Sequence, residues 1–301
     1  MVHVSHPYND NAAKLARFAT YASVSVASLL IVVKLFAWMW TDALSLQATL
    51  VDSILDAAAS LLNLIAVRQA YLPPDKEHRF GHGKIEAVAA LGQSFFIAGS
   101  AGWLMLEAFH RFLHPQKVES SMVGIAVMVF AIVITLFLIL YQTYVIRKTR
   151  STAILADSVH YRSDVMINGS VIVALVGGEW LDTSYLDPLF GMGISLYILS
   201  SAWKIAKDSF HILIDRELSD QERDEILKIA LSHPKVLGCH DLKTRSSGRY
   251  SFIQLHLEMD GELSLKQSHA ISDEVVKVLE EEFPHAEVII HEDPKVEGRT
   301  I

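Results

Sequence analysis

The sequence predicts an α-helical membrane protein: six transmembrane helices, followed by a C-terminal cytoplasmic α/β domain of order αββαβ, ferredoxin-like. Three observations carry that expectation. Over 301 residues, 51% are hydrophobic, and the mean hydropathy of +0.30 is high for a water-soluble chain. Apolar runs of the length a bilayer demands, about 20 residues as helix, are confined to the first two thirds. The last third is polar, with 18 acids against 11 bases over residues 216–301. The expected division is therefore 1–212 for the membrane part and 213–301 for the cytoplasmic part.

The runs fall at 15–40, 43–70, 84–112, 119–147, 151–177 and 186–212. Thr41-Asp42 is a tight polar turn. Pro73-Pro74 ends the second helix, because proline lacks an amide donor and clashes with the preceding turn. Pro115 separates spans three and four, Gly177-Gly178 ends span five, and Asp187-Pro188 opens span six. Lys14 and Arg17 precede span one. Arg68, Lys76, Arg79 and Lys84 lie between spans two and three, and Arg147, Lys148 and Arg150 between four and five. The opposite loops hold only Arg111 and Lys117. This asymmetry puts both termini in the cytoplasm. Six consecutive runs with one charge bias argue against buried core helices of a soluble protein.

Several classes are excluded. A single cysteine, Cys239, allows no disulfide framework and no Cys-rich zinc module. The polar start MVHVSHPYNDNAAK is no cleavable signal, and the first apolar run is too long to be one. A net charge of -8 argues against a nucleic-acid partner.

In the last third, Ser219 with Glu222 three residues on forms a capping-box pattern that opens a helix to about Ser232. CHDLKTR and YSFIQLHLEMD, joined by a Ser-Ser-Gly turn, read as a hairpin. SLKQSHAISDEVVKVLEEEF reads as an amphipathic helix and AEVIIHED as a last strand.

Within this apolar background stand ionisable pairs. Asp52 and Asp56 in span two, and His160 and Asp164 in span five, are each four apart, so each pair shares one helix face. Span two runs outside to inside and span five inside to outside. Both pairs lie about 9 and 13 residues from their starting ends, which at about 1.5 Å per residue is mid-bilayer. An unpaired charge there costs roughly 2.5–3.5 kcal/mol on insertion scales, and three carboxylates would repel and take up protons. A divalent cation resolves the problem. Four N/O ligands on two rigid helices suit tetrahedral Zn²⁺, and the imidazole favours zinc, cadmium or ferrous iron over calcium or magnesium. Metal must displace protons from these ligands, so a site facing the two sides in turn is a proton-coupled antiporter. The bland alternative is a structural polar network with Asn63, Asn168 or Ser163.

VDSILD, HYRSD, FGHGK and the αββαβ tail ending IIHEDP together resemble the cation diffusion facilitator family, over nearly the whole chain, and most closely its bacterial YiiP-type zinc and ferrous-iron efflux branch. The resemblance implies a homodimer in the bacterial inner membrane that exports Zn²⁺, or Cd²⁺ or Fe²⁺, in exchange for protons. It implies that Asp52, Asp56, His160 and Asp164 are the transport site. His160 stands where manganese-selective members carry Asp.

Two further clusters follow. In DKEHRFGHGK, Asp75, His78 and His82 can converge if Gly81 and Gly83 allow tight turns, and the family places a second zinc site there. Three protein ligands leave one position for water. Lys76-Glu77 departs from the family pattern by setting a cation beside the first ligand and a spare carboxylate beside His78. In the tail, His240 and His256 can share a sheet face, His291 and Asp293 point the same way, and His269 lies on the second tail helix. The family makes these five a binuclear zinc site near the dimer interface, bridged by the aspartate. Glu292 should point the other way, and Cys239 should face the core. The family also pairs the residues matching Lys84 and Asp215 as a charge interlock. His3, His6, His110, His114, His211, His233 and His285 are read as ordinary surface histidines.

A metalloenzyme would need an open metal position and a base, typically HExxH, which is absent. A channel would need weaker binding than a quartet that saturates a tetrahedral ion. A carrier, not an enzyme, is the expectation.

Overall fold

The protein is described from a computed structural model over residues 10–41, 44–114, 122–177, 186–248 and 250–295. Asp42, Pro115, Lys117, Gly178, His3 and His6 lie outside these residues. The chain divides into two compact units, one running to Phe210 and the other from His211.

The first unit holds six helices: α1 (Asp10–Thr41), α2 (Leu44–Ala70), α3 (Lys84–Leu113), α4 (Met122–Thr149), α5 (Thr152–Gly177) and α6 (Leu186–Leu213), the last continuing three residues past Phe210. Five are long and apolar enough to cross a membrane by length and composition. The sixth, α5, has 26 residues, but Asp157, Arg162 and Asp164 dilute its apolar character. The final turn of α2 tightens before Pro73, with Leu72 N donating to Gln69 O at 2.9 Å. Between α4 and α5 the chain reverses through Arg150 at a φ of 53°. Ser151 Oγ then accepts from Ile154 N at 3.3 Å and caps α5.

α1 packs on α2 and α4, and α5 on α2, α3 and α4. Alanines line one crossing: Ala13, Ala16 and Ala19 of α1 meet Ala70 of α2 and Ala153 of α5. Small residues let helix backbones approach where lipid offers no hydrophobic drive between helices. Trp103, Phe137 and Leu140 face outward, while Gln142 and Asp157 are buried. That inversion is what a bilayer solvent requires and excludes the soluble-core reading.

The second unit comprises α7 (Asp220–Ser232), β1 (Gly238–Ser247), β2 (Tyr250–Met259), α8 (Leu265–Glu282) and β3 (Ala286–Pro294). The sheet order is β1-β2-β3. β1 pairs antiparallel with β2, and β3 pairs parallel with β2 after the α8 crossover. Ser219 caps α7 in the expected box. The same device, Ser264 with Gln267, opens α8; its sequence, SLKQ, carries the identical pattern.

Ile253, Leu255 and Leu257 of β2 pack with Ile226 of α7 and with Val275 and Leu279 of α8. Strand alternation therefore turns Gln254, His256 and Glu258 to the opposite face. Cys239 packs against the core, as its alternation with His240 requires, and burial pushes its thiol pKa up.

Candidate metal centres

In the helical unit, Asp56 of α2 and His160 of α5 are both buried. Asp56 Oδ1 lies 2.8 Å from His160 Nε2, and Asp164 Oδ2 lies 3.8 Å from the same nitrogen. One ligand atom from each of the three falls within 4.8 Å of the others. The i,i+4 spacing on two packed helices produces this, because each pair projects from one face. Asp52 stands outside that trio. It is exposed, one turn along α2, and lines the same cavity of about 130 Å³ as Asp56 and Asp164. Like charges held four residues apart repel, and a cation between them is what would draw Asp52 in. Of the neutral residues considered as structural partners, Asn63 Nδ2 donates to Ala153 O at 3.0 Å and Asn168 Nδ2 to Asp164 O at 2.8 Å. Ser163 Oγ donates to Val159 O at 2.9 Å. All three satisfy backbone carbonyls rather than the acids.

Two ionisable neighbours were not anticipated. Asp157, one turn before His160, accepts from Gln142 Nε2 at 2.8 Å, from Ser60 Oγ at 3.4 Å and from Gln93 Nε2 at 3.5 Å. Gln142 also donates to Ser23 Oγ at 3.0 Å, and Tyr161 hydroxyl donates to Ser23 O at 3.2 Å. Five helices are thus joined through one buried carboxyl. The available signal was a second acid in span five, beside Asp164. The second neighbour, Lys34 of α1, donates to Ser53 Oγ at 2.6 Å; its signal was a lone lysine inside an apolar run.

Before α3, the loop brings Asp75, His78 and His82 within 4.8 Å of one another. His78 Nδ1 is 3.2 Å from Asp75 Oδ1 and His82 Nε2 is 3.3 Å from Oδ2. The backbone amides of His78, at 2.6 Å, and Glu77, at 2.9 Å, donate to Asp75 Oδ1. The His78 amide first, with the Glu77 amide and the His78 ring, holds the Asp75 carboxyl below the usual carboxylate range. One glycine makes the turn rather than two. Gly81 adopts a φ of +79°, whereas Gly83 is an ordinary right-handed N-cap of α3 at φ −56°, so no glycine freedom is needed there. Lys76 and Glu77 are exposed, and Glu77 stands outside the trio.

On the open face of the sheet, His240 pairs with His256 across β1–β2, and His256 with His291 across β2–β3. Asp293 Oδ2 lies 2.8 Å from His256 Nδ1 and 3.4 Å from His240 Nε2. Its other oxygen lies 3.3 Å from His291 Nε2. The Asp293 carboxylate therefore presents one oxygen to two imidazoles and the other to a third, an arrangement able to bridge two cations. The hydrogen bond from His256 holds the Asp293 carboxyl below its usual range, with the charges of His291, His256 and His240 adding to the effect. Glu258, also unanticipated, puts Oε1 3.7 Å from His240 Nε2; it lies two residues from His256 on one strand face.

Of the five residues expected to converge on one side of the sheet, His240, His256, His291 and Asp293 do and His269 does not. His269 sits on α8, which packs on the other face of the sheet. Its ring lies 3.6 Å from Asp273 Oδ2 and 3.9 Å from Glu292 Oε1. Glu292 points away from His291 and Asp293, as alternation predicts. Elsewhere, Lys84 is the first residue of α3. Asp215 has a φ of 56° and places Oδ1 3.4 Å from Arg245 Nη1. The His110 and His114 rings lie 5.1 Å apart at the end of α3, and His233 contacts Glu274 at 3.0 Å.

Residues 20–214 match the cation efflux transmembrane domain, and residues 218–295 match the cation efflux protein, cytoplasmic domain. The chain is 46% identical over 286 residues to the cation-efflux pump FieF of Klebsiella pneumoniae subsp. pneumoniae, covering 95% of each. It is equally similar to FieF of Salmonella choleraesuis. Among solved structures it is similar to CzrB in a Zn form, with 31% identity and a TM-score of 0.27, over 29% of this chain and 99% of that one. The chain belongs to the cation diffusion facilitator family: it is a multi-pass membrane transporter for cation efflux with a cytoplasmic domain, and it is not an enzyme.

Proposed function

We propose that the cation is Zn²⁺, with Cd²⁺ and Fe²⁺ as alternatives, and that it leaves the cytoplasm in exchange for protons. The proposed transporter is a homodimer in a bacterial inner membrane with both termini cytoplasmic. The observation that carries this reading is the trio of buried Asp56, buried His160 and half-buried Asp164, whose ligand atoms lie within 4.8 Å of one another on facing helices, with Asp52 lining the same cavity as the two acids. One imidazole among carboxylates suits a borderline cation better than magnesium or calcium.

In the proposed cycle, cytoplasmic metal displaces protons from His160 and the acids. The helices rock, and protons from the far side release the metal. Asp75, His78 and His82 form a second, loop site open to water. His240, His256, His291 and Asp293 hold a resident zinc pair that biases the rocking by tightening the dimer. Lys84 with Asp215 acts as the interlock.

The test is zinc flux into proteoliposomes under an imposed pH gradient, for wild type and Asp52→Ala. Gradient-dependent flux that the mutation abolishes supports the reading. Flux indifferent to the gradient makes the protein a channel or uniporter. Persistent flux in Asp52→Ala moves the site elsewhere.

A further inference from the structure

Lys34 has a place in that cavity which the four ligands do not explain. It lies within α1, and its ammonium turns inward. Nζ donates to Thr49 O at 3.0 Å and to Ser53 Oγ at 2.6 Å, both on α2. Ser53 is the neighbour of Asp52 and lies three residues before Asp56. The Lys34 side chain lines the same cavity of about 130 Å³ as Asp52, Asp56 and Asp164. Opposite charges sharing one cavity attract. A lysine in a membrane helix is costly, and one near a helix end ordinarily extends toward water. This one is tied instead to the helix that carries two of the ligands.

Charge counting gives the residue a role. A metal ligand must be deprotonated, so the loaded cavity holds three negative carboxylates and a neutral His160. A divalent cation cancels two of those charges and Lys34 cancels the third. Without Lys34 the loaded cavity would carry one net negative charge through the bilayer. The fixed positive charge also repels the incoming cation and so limits how tightly it is held.

We propose that Lys34 is a positioning residue of the cation pathway, a built-in counter-charge that renders the metal-loaded site electrically neutral and keeps capture weak enough for release. This rests on the transport-site reading above. Its signature is opposed: removing the charge tightens capture and slows passage together. A residue that merely braces α1 against α2 would lower flux without tightening capture.

The experiment is initial zinc flux into proteoliposomes against zinc concentration for wild type, Lys34→Met, Lys34→Gln, Lys34→Arg and Asp56→Ala, each first checked for a monodisperse elution profile. In both neutral variants the half-saturating zinc concentration should fall on the order of tenfold, and maximal flux should fall by a comparable factor. Lys34→Arg, which keeps the charge, should restore both toward wild type. The proposal is overturned if the neutral variants match wild type while Asp56→Ala is inactive. It is also overturned if they lose flux with unchanged or weaker capture. Persistent flux in Asp56→Ala would overturn the transport-site reading itself, and the Lys34 role with it.

Discussion

The helical cluster and the sheet cluster use the same ligand chemistry and hold it in opposite ways. Asp56 and His160 are buried in the bilayer part, on two rigid helices whose i,i+4 spacing sets the distances. His240, His256, His291 and Asp293 stand on an open sheet face, aligned by strand register. Around the first cluster every polar contact matters, because lipid supplies no water to replace a lost one. Around the second, water can complete a ligand sphere. Loss of a ligand should therefore be decisive in the membrane and graded in the tail.

The most severe test of that contrast is Asp56→Ala or His160→Ala, each of which should take zinc flux to background in proteoliposomes. Measurable residual flux would erase the distinction. Next, Gln142→Leu removes a neutral donor from buried Asp157 without touching a ligand. An unsatisfied buried partner costs about 1–3 kcal/mol, so the detergent-solubilised protein should melt several degrees lower; an unchanged melt would show that the network is dispensable.

His256→Ala combined with Asp293→Ala should be milder for transport. Flux persists, with half-saturation shifted by about fivefold, the low end of allosteric coupling, and bound zinc falls when counted by atomic absorption. Wild-type flux would remove the regulatory role, and loss of all flux would make the two clusters equivalent.

The smallest effect is acid sensitivity of the tail. Asp293 has its carboxyl held below the unfolded value of about 3.9, chiefly by the His256 hydrogen bond. Its stabilising contribution is therefore present above that pH and lost as pH falls through the lower folded value. Melts of zinc-free protein between pH 5 and pH 3 should show a shallower decline in Asp293→Asn than in wild type.

Much of this architecture is local and was legible in the chain. Six apolar runs, the proline after α2 and the Ser219–Glu222 box are statements about neighbours in sequence, and each element begins and ends within a few residues of where those signals lie. The facing of Asp56 and His160 was legible too, because a repeat of four on two antiparallel spans leaves little choice of depth or face. The second capping box at Ser264 was equally readable but unread.

What the chain could not reveal is which face meets which partner. His269 carries no mark that α8 covers the sheet face opposite His256, since that depends on how the crossover between β2 and β3 is closed. Asp157 is one more polar residue in a run until α1, α2, α3 and α4 supply Ser23, Ser60, Gln93 and Gln142 around it. Lys34 reads as an interruption of an apolar helix until α1 lies against α2. Helical period and strand alternation follow from backbone geometry and are written into every few residues. The pairing of elements distant in sequence is settled by packing, and only the folded protein decides it.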